Sequence, residues 1–414
     1  MQIPDVPPEL LRALRQAAAG QRIALVGGVV RDLLLHRQHQ DPWRGLPDLD
    51  LVVEGPAMDW VSRLHPCLER MVGTEVPWRA NVHGAYGTVA LELQLPRALG
   101  GTWLLDVAMA RREVYVVPGG QPQVSPGSLE DDLARRDFSV NAMALVVPFE
   151  GDATLLDPHG GQADLAHRRL RLLHAQSVRD DPTRLVRAAR YAARLGFELA
   201  ADSRQQVHAT LSSWPWPWRP GAALDLVPPA LGTRLRMEFQ LLLEREDWRS
   251  ALAALQGWGG LVLLDAQLQA QTRWRQHLAW GERWQLPLLP LLVGGARDPV
   301  ALARRLQLPH GQVRLLQRAL QLGDCLQHSA LPAAPSEWCA LLEGPGFGAQ
   351  VVAVALAIGL GPRRPLLRWY HRWRHVSAPL DGAALLAQGW PAGPGLGDEL
   401  RRLRAQRLDR SKAP

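Results

Sequence analysis

Ile23-Ala24-Leu25-Val26-Gly27-Gly28-Val29-Val30-Arg31-Asp32-Leu33-Leu34-Leu35 sets a short apolar run against a glycine pair and a second apolar run, and Asp48-Leu49-Asp50-Leu51-Val52-Val53 follows soon after. Ile23 to Val26 reads as a short buried strand, Val30 to His36 as a helix, and Leu49 to Val53 as a second strand. Glycines at a strand-to-helix turn let backbone N–H groups approach an anion closely, and the helix N-terminus adds positive potential. Arg31 could reach the same phosphates. A plain strand-to-helix turn would look the same. The run has neither the GxGxxG spacing of dinucleotide sites nor the Gly-Lys-Ser/Thr ending of a P-loop, so a dehydrogenase and a P-loop ATPase are disfavoured.

Along a strand, residues two apart point to the same side. Asp48 and Asp50 would therefore face one pocket, close enough to share hard cations. Two metal ions about 3.5–4 Å apart can activate an attacking hydroxyl and stabilise a leaving pyrophosphate. Mg²⁺ suits such a site because it prefers oxygen ligands and keeps waters for substrate phosphates. A solvated pair of aspartates at a strand edge is the other reading. Asp106 is the obvious candidate for a third carboxylate, although it also fits a strand-end turn.

Further out, Val89 to Leu95 alternates like a half-buried strand and Trp103 to Ala108 is its expected partner, while Pro118 to Gly127 reads as a loop. Past residue 160 the pattern turns helical, with three-and-four spacing over Asp181 to Leu195 and Arg234 to Leu243. Ser212 to Leu231, rich in Trp and Pro, reads as a surface insertion between helices; its function is not legible, and core or interface packing is the first expectation for its tryptophans. The expected order is an α/β part over 1–150, helices over 151–245, and a further helical region over 246–414, which makes the fold class α+β. Of 414 residues, 47% are hydrophobic, enough for several cores. No apolar run approaches a membrane span, so no membrane partner is expected. Three scattered cysteines, Cys67, Cys325 and Cys339, point to a reducing cytoplasm. The net charge of +7 rests almost wholly on arginine, which suits phosphate contacts but is only a weak pointer to nucleic acid.

Taken in order, these residues resemble a known family, the class II tRNA nucleotidyltransferases and bacterial poly(A) polymerases. Gly27 to Leu35 with Asp48 to Val52 looks like the first motif, and Leu129-Glu130-Asp131-Asp132-Leu133-Ala134-Arg135-Arg136-Asp137-Phe138-Ser139-Val140-Asn141-Ala142-Met143-Ala144 resembles the second. Leu156-Asp157-Pro158-His159-Gly160-Gly161, with Asp164-Leu165 and Arg169, is similar to the third. Asp180-Asp181-Pro182-Thr183-Arg184-Leu185-Val186-Arg187-Ala188-Ala189-Arg190-Tyr191 looks like the fourth, and Arg234 with Glu238 resembles the fifth. Gly382, Leu385-Leu386, Gly389 and Gly393 to Gly397 resemble the tail more loosely.

The resemblance implies a polymerase-β-like head, then helical neck, body and tail, with 1–150 catalytic, 151–245 reading the base and 246–414 holding tRNA. It implies template-free addition of C or A, all or part of CCA, to the tRNA 3′ end from CTP and ATP with Mg²⁺. Asp48 and Asp50 would be the catalytic metal ligands. Gly27, Gly28, Arg31, Arg136, Asp137, Asn141, Asp181, Arg184, Arg187 and Arg190 would bind the nucleotide. A carboxylate and a guanidinium together can match the donors and acceptors of cytosine or adenine and leave the wrong base unpaired. Asp181 and Arg184, three apart, fit that role, and Asp181 before Pro182 also fits a helix cap. Asp180 stands where the family usually has Glu.

Arg363-Arg364 and Arg368 to His375 interleave cations with aromatics, as an RNA-holding stretch or as an amphipathic helix with Leu366, Leu367, Tyr370 and Trp373 buried. Gly393 to Gly397, before a helix expected over Asp398 to Arg404, could bind a phosphate or cap that helix. The segment from Ala108 to Gly127 lacks an obvious long insertion, which leaves CC-only addition open. The alternatives are a poly(A) polymerase, for which only the short Arg401 to Lys412 run speaks, and a catalytically silent RNA-binding protein, against which Asp48, Asp50 and Arg136 argue.

Overall fold

The computed structural model describes residues 3–46, 48–84, 87–147 and 153–410. The expected boundary at 150/151 and the end of the Arg401 to Lys412 run lie outside the described residues. The chain divides into two compact units, residues 1–238 with 245–259, and residues 239–244 with 260–414.

The first unit is built on strands β1 (Ile23–Val26), β2 (Leu49–Val53), β3 (Trp78–His83), β4 (Thr88–Gln94), β5 (Thr102–Met109), β6 (Arg111–Val114), β7 (Gln123–Pro126), β8 (Ala144–Val146) and β9 (Thr154–Leu156). Seven of them form one mixed sheet in the order β3-β4-β5-β2-β1-β8-β9, in which β2 and β5 run parallel and the other pairs antiparallel. The β6–β7 hairpin stands apart. Its second strand falls in the stretch expected to be a loop, where Pro and Gly masked a pairing of Arg111 to Val114 with Gln123 to Pro126.

Side-chain alternation gives the large sheet two unlike faces. On one, Leu49, Leu51, Val89, Leu91, Leu105 and Val107 are buried. Helix α1 (Pro8–Ala18) precedes β1, α2 (Gly28–His39) follows β1 and α3 (Ala57–Val72) follows β2, and α3 packs on β2, β4 and β5. It buries Trp60, Val61, Leu64, Cys67 and Leu68, the spacing of one helical stripe, and ends on Gly73 in the left-handed region. Helix α2 starts at Gly28, two residues before the expected Val30, and continues to His39. On the other face a small second core joins Ala24, Val26, Val52 and Ala144 to Leu129 and Leu133 of α4 (Leu129–Ala134). A capping box between Ser128 and Asp131 starts α4. This second core fixes the residues after α4 beside β2, whose Asp48–Asp50 end is only partly buried.

The helical remainder of this unit comprises α5 (Gly161–Ala166), α6 (Ser177–Asp180), α7 (Thr183–Leu195), α8 (Ala201–Ser213), the start of α9 (Thr233–Arg245) and α10 (Trp248–Gly257). Between α8 and α9, the stretch expected as a surface insertion is anchored rather than merely superficial. Trp216 and Trp218 are buried, and the Trp216 Nε1 donates to Arg179 O at 3.0 Å. Leu224 and Leu226 of the same stretch are exposed.

The second unit is helical, from α11 (Ala266–Ala270) and α12 (Trp274–Arg283) to α20 (Pro394–Arg410). Its core is the apolar helix Ala349–Ala357, buried from Val351 through Ala357, with Trp274, Leu316 and Trp369. Two expectations are corrected here. The helix Arg363–His371 buries Leu366 and Trp369, while Leu367, Tyr370 and Trp373 keep partial exposure. The glycines at 395 and 397 lie inside α20 rather than before it, because the helix begins at Pro394. The cysteines are unpaired. Among the described residues, no helix is long and apolar enough to cross a membrane.

Candidate active site

Register brings the carboxylates together. Parallel pairing sets Asp50 opposite Asp106, and alternation puts Asp48 on the same face. Ligand oxygens of Asp48, Asp50 and Asp106 all lie within 4.8 Å of one another. Burial and the neighbouring Asp48 charge push the Asp50 carboxyl up to about 6, against the pull of Arg136. Burial, then Asp106, raises Asp48 as well. Three carboxylates this close concentrate negative charge at one point, and a hard divalent cation with oxygen preference is the species that relieves it. The residues present fit such an ion.

Beside Asp50 the chain turns at Gly27, whose φ of +71° favours glycine. A Cβ there would stand 3.3 Å from Arg136 Nη1 and 3.4 Å from Asp50 Oδ2, so a side chain would press between the cation and the carboxylate. Arg136 is held at 2.9 Å by Asp132, a buried carboxylate that also takes Arg135 at 2.6 Å. With Gly28 opening α2, these groups line one end of a cavity of about 490 Å³. The volume suits a nucleotide-sized ligand.

The other end is built on α7. Asp181 has extended backbone and α7 begins at Thr183, one position later than the expected start at Pro182. The carboxylate nonetheless serves the first turn: Oδ1 accepts from Thr183 N at 3.0 Å and from its hydroxyl at 2.6 Å. The second oxygen, expected to be available to a base, takes Arg234. Arg184 donates to Arg135 O at 2.8 Å and meets His174 Nε2 at 3.3 Å. Burial, then the Arg184 charge, pushes His174 down to about 4. Asp137, Arg187 and Glu238 form a ladder along the wall, with Arg187 Nε donating to Asp137 at 2.8 Å and Nη1 to Glu238 at 3.2 Å. Arg187 is raised by Asp137; burial pushes the Asp137 carboxyl up, but Arg187, Asn141 and Arg184 together hold it below its ordinary value.

Of the residues singled out in the sequence, Gly27, Gly28, Asp50, Arg136, Asp137, Asn141, Asp181, Arg184 and Arg187 line this cavity. Arg31 does not; it is buried, held by Asp32 at 2.8 Å and Asn141 at 2.8 Å, and sits over the Tyr191 ring. Arg190 is likewise outside the lining, bound to Glu238 at 2.6 Å and to Glu246. Sequence reasoning missed Arg111, Glu113 and Tyr115 on or beside β6, where Glu113 joins Arg111 at 2.8 Å and Arg135 at 3.2 Å. The only signal was the charged alternation just after the Ala108 strand end. Burial, then Asp181 and Glu113, pushes the Tyr115 hydroxyl up to about 12, so it stays a donor.

Comparison with known proteins agrees with this geometry. The family described as the poly A polymerase head domain matches residues 23–171. A CC-adding tRNA nucleotidyltransferase of Deinococcus radiodurans is 37% identical over 312 residues, covering 74% of this chain and 72% of that protein. An A-adding tRNA nucleotidyltransferase of Aquifex aeolicus is 38% identical over 228 residues, 55% of this chain and 23% of the other. The solved structure of a CCA-adding enzyme in an apo form superposes over 100% of this chain and 97% of its own, with a TM-score of 0.69 at 22% identity, a likeness of fold.

Proposed function

The chain belongs to the class II tRNA nucleotidyltransferase family, and from that premise we propose that it extends the 3′ end of tRNA with C, A or both, completing all or part of CCA from CTP and ATP. The observation that carries this reading is the acidic triad at the mouth of a cavity whose opposite wall holds Asp181 and Arg184. Among partial activities, CC addition has the support of the CC-adding relative, matched over 72% of its length.

The terminal 3′ oxygen attacks the α-phosphorus, the α–β bridging P–O bond breaks, pyrophosphate leaves with the electron pair, and the hydroxyl proton passes to the carboxylate side. Asp48 and Asp50, with Asp106 as third ligand, would hold Mg²⁺. Mg²⁺ bound there would supply charge neutralisation at the phosphates and a lowered pKa for the attacking hydroxyl. Arg136, fixed by Asp132, and the backbone N–H groups of Gly27 and Gly28 take the triphosphate. Arg31 and Arg190 act by positioning: Arg31 braces Asn141, and Arg190 braces Glu238 against Arg187. Asp181 and Arg184 read the base edge, with Arg234 yielding the Asp181 oxygen when a base amino group arrives.

We assign the chemistry to the first unit and RNA holding to the second, where Arg363 lies 4.3 Å from the Trp280 ring and Arg374 4.2 Å from the Tyr370 ring. Cytoplasmic residence fits the unpaired cysteines. The deciding experiment offers the protein tRNAs ending before CCA, after C and after CC, each with CTP or ATP. CTP incorporation on the first two and no ATP incorporation on the third is the CC-adding outcome. ATP on the third identifies A or CCA addition, and no incorporation anywhere overturns the reading.

A further inference from the structure

The sheet face carrying the carboxylates does not stop at them. Antiparallel pairing sets Asp106 opposite Ala90 and Ala90 opposite Asn81, so these three share Asp50's face. One step along, Asp48 lies level with Leu104, which pairs with Glu92, which pairs with Arg79. This face is open on β5, β4 and β3: Leu104 is 48% exposed, and Arg79 and Asn81 are exposed. The opposite face of β5 and β4 is buried under α3 at Val89, Leu91 and Leu105, whereas β3 is exposed on both faces, Val82 included. Arg79 forms no ion pair with any described residue, while Glu92 is held by Gln94 Nε2 at 2.9 Å.

The geometry of the transfer says what belongs there. In an in-line displacement the attacking and leaving oxygens lie on opposite sides of the phosphorus. The triphosphate cavity is lined by Gly27, Gly28, Arg136 and Asp50, and neither Asp48 nor Asp106 lines it. The attacking hydroxyl therefore comes from the Asp106 side, across the open strands. On the reading above, we propose that the open face of β5, β4 and β3 seats the last nucleotides of the RNA acceptor strand. Leu104 and Ala90 give a flat apolar floor for the terminal sugar and base. Arg79, about 14 Å across the sheet from Asp48 at the usual strand spacing, takes a phosphate upstream.

The test is steady-state kinetics of Arg79→Ala and Leu104→Glu with the tRNA end the wild type extends and its own nucleotide. Each variant should raise KM for tRNA by roughly five- to tenfold and leave the nucleotide's KM within about twofold, with melting temperature unchanged because both positions are exposed. Asn81→Asp, which adds a negative charge to the same face, should move in the same direction. Unchanged tRNA KM in all three, or a nucleotide KM rising in step, overturns the platform while the nucleotidyltransferase reading stands. A wild type inactive on every tRNA end overturns both.

Discussion

At Asp50 the fold carries a cost that the proposed metal site would account for. The carboxyl titrates near 6 in the folded chain against 3.8 as the ordinary value, so the folded state holds its proton more tightly than the unfolded state. Between those values stability falls as pH rises, and above 6 the ionised group costs on the order of 2–3 kcal/mol. Asp50→Asn should therefore raise the melting temperature at pH 7.5 while abolishing addition, and millimolar Mg²⁺ should stabilise the wild type but not the variant, both measured by thermal denaturation. A destabilised Asp50→Asn protein would refute the assignment of strain to the triad. His174 pulls the other way in an overlapping window. Its folded value of about 4 lies below the ordinary 6.5, so the unfolded chain takes up the proton first, and stability falls as pH drops from 6.5 towards 4. In the wild type the two groups oppose each other. Removing one should expose the other: Asp50→Asn should lose stability faster on acidification than wild type, and His174→Gln should lose it more slowly. Parallel curves for all three proteins would count against both assignments. Gly27→Ala adds a methyl at positive φ within 3.4 Å of Asp50 Oδ2. It should lower kcat at least tenfold with a loss of stability of about 1 kcal/mol.

Among elements, those with regular period were legible and those held by distant partners were not. β1 and β2 follow from apolar runs bounded by glycine and by aspartate, and the facing of Asp48 and Asp50 follows from alternation alone. The nearness of Asp106 needed the parallel β2–β5 pairing, a contact between strands far apart in the chain that local pattern cannot give. β6 and β7 were lost in a Pro- and Gly-rich stretch, and with them Arg111, Glu113 and Tyr115. The partners that occupy Asp181 and Arg31 were also beyond reach, because an ion pair joins Arg234 of α9 to Asp181, two residues before α7, and a hydrogen bond ties Arg31 to Asn141 after α4. The tryptophan-rich stretch shows the same limit. Its anchor is Gly119, whose N–H donates to Asp180 O at 3.1 Å and whose carbonyl accepts from Ala230 N at 3.1 Å. A Cβ on Gly119 would stand 2.9 Å from the Trp216 ring. The insertion thus braces the turn that presents Asp181. Trp216→Ala should cost about 3–5 kcal/mol and raise the nucleotide's KM, whereas Leu226→Ala at the exposed end should shift stability by less than about 0.5 kcal/mol. Equal effects from the two, in chemical denaturation and initial-rate assays, would remove the bracing role.

Across the whole molecule, the proposed division of tasks between the two units would rest on charge and aromatic surface. A net charge of +7 supplies attraction for RNA without sequence preference, and its footprint is a salt dependence set by the number of phosphates engaged. In the second unit Trp280, Trp284 and Tyr370 form a chain of rings, with centroids 4.8 Å and 5.4 Å apart and arginines at both ends. Such a chain offers faces for unstacked bases and cations for the backbone beside them. Arg363→Ala and Arg374→Ala should each weaken tRNA binding and make the slope of log affinity against log salt shallower by about 0.7–0.9. Trp284→Ala should weaken binding with the slope unchanged, since a ring releases no counterions. The nucleotide's KM should stay constant in all three, because the triphosphate cavity is lined wholly by residues of the first unit. Filter binding across a salt series separates these outcomes: full affinity and an unaltered slope in every variant would make the chain of rings a packing feature of the second unit and leave RNA holding to other residues.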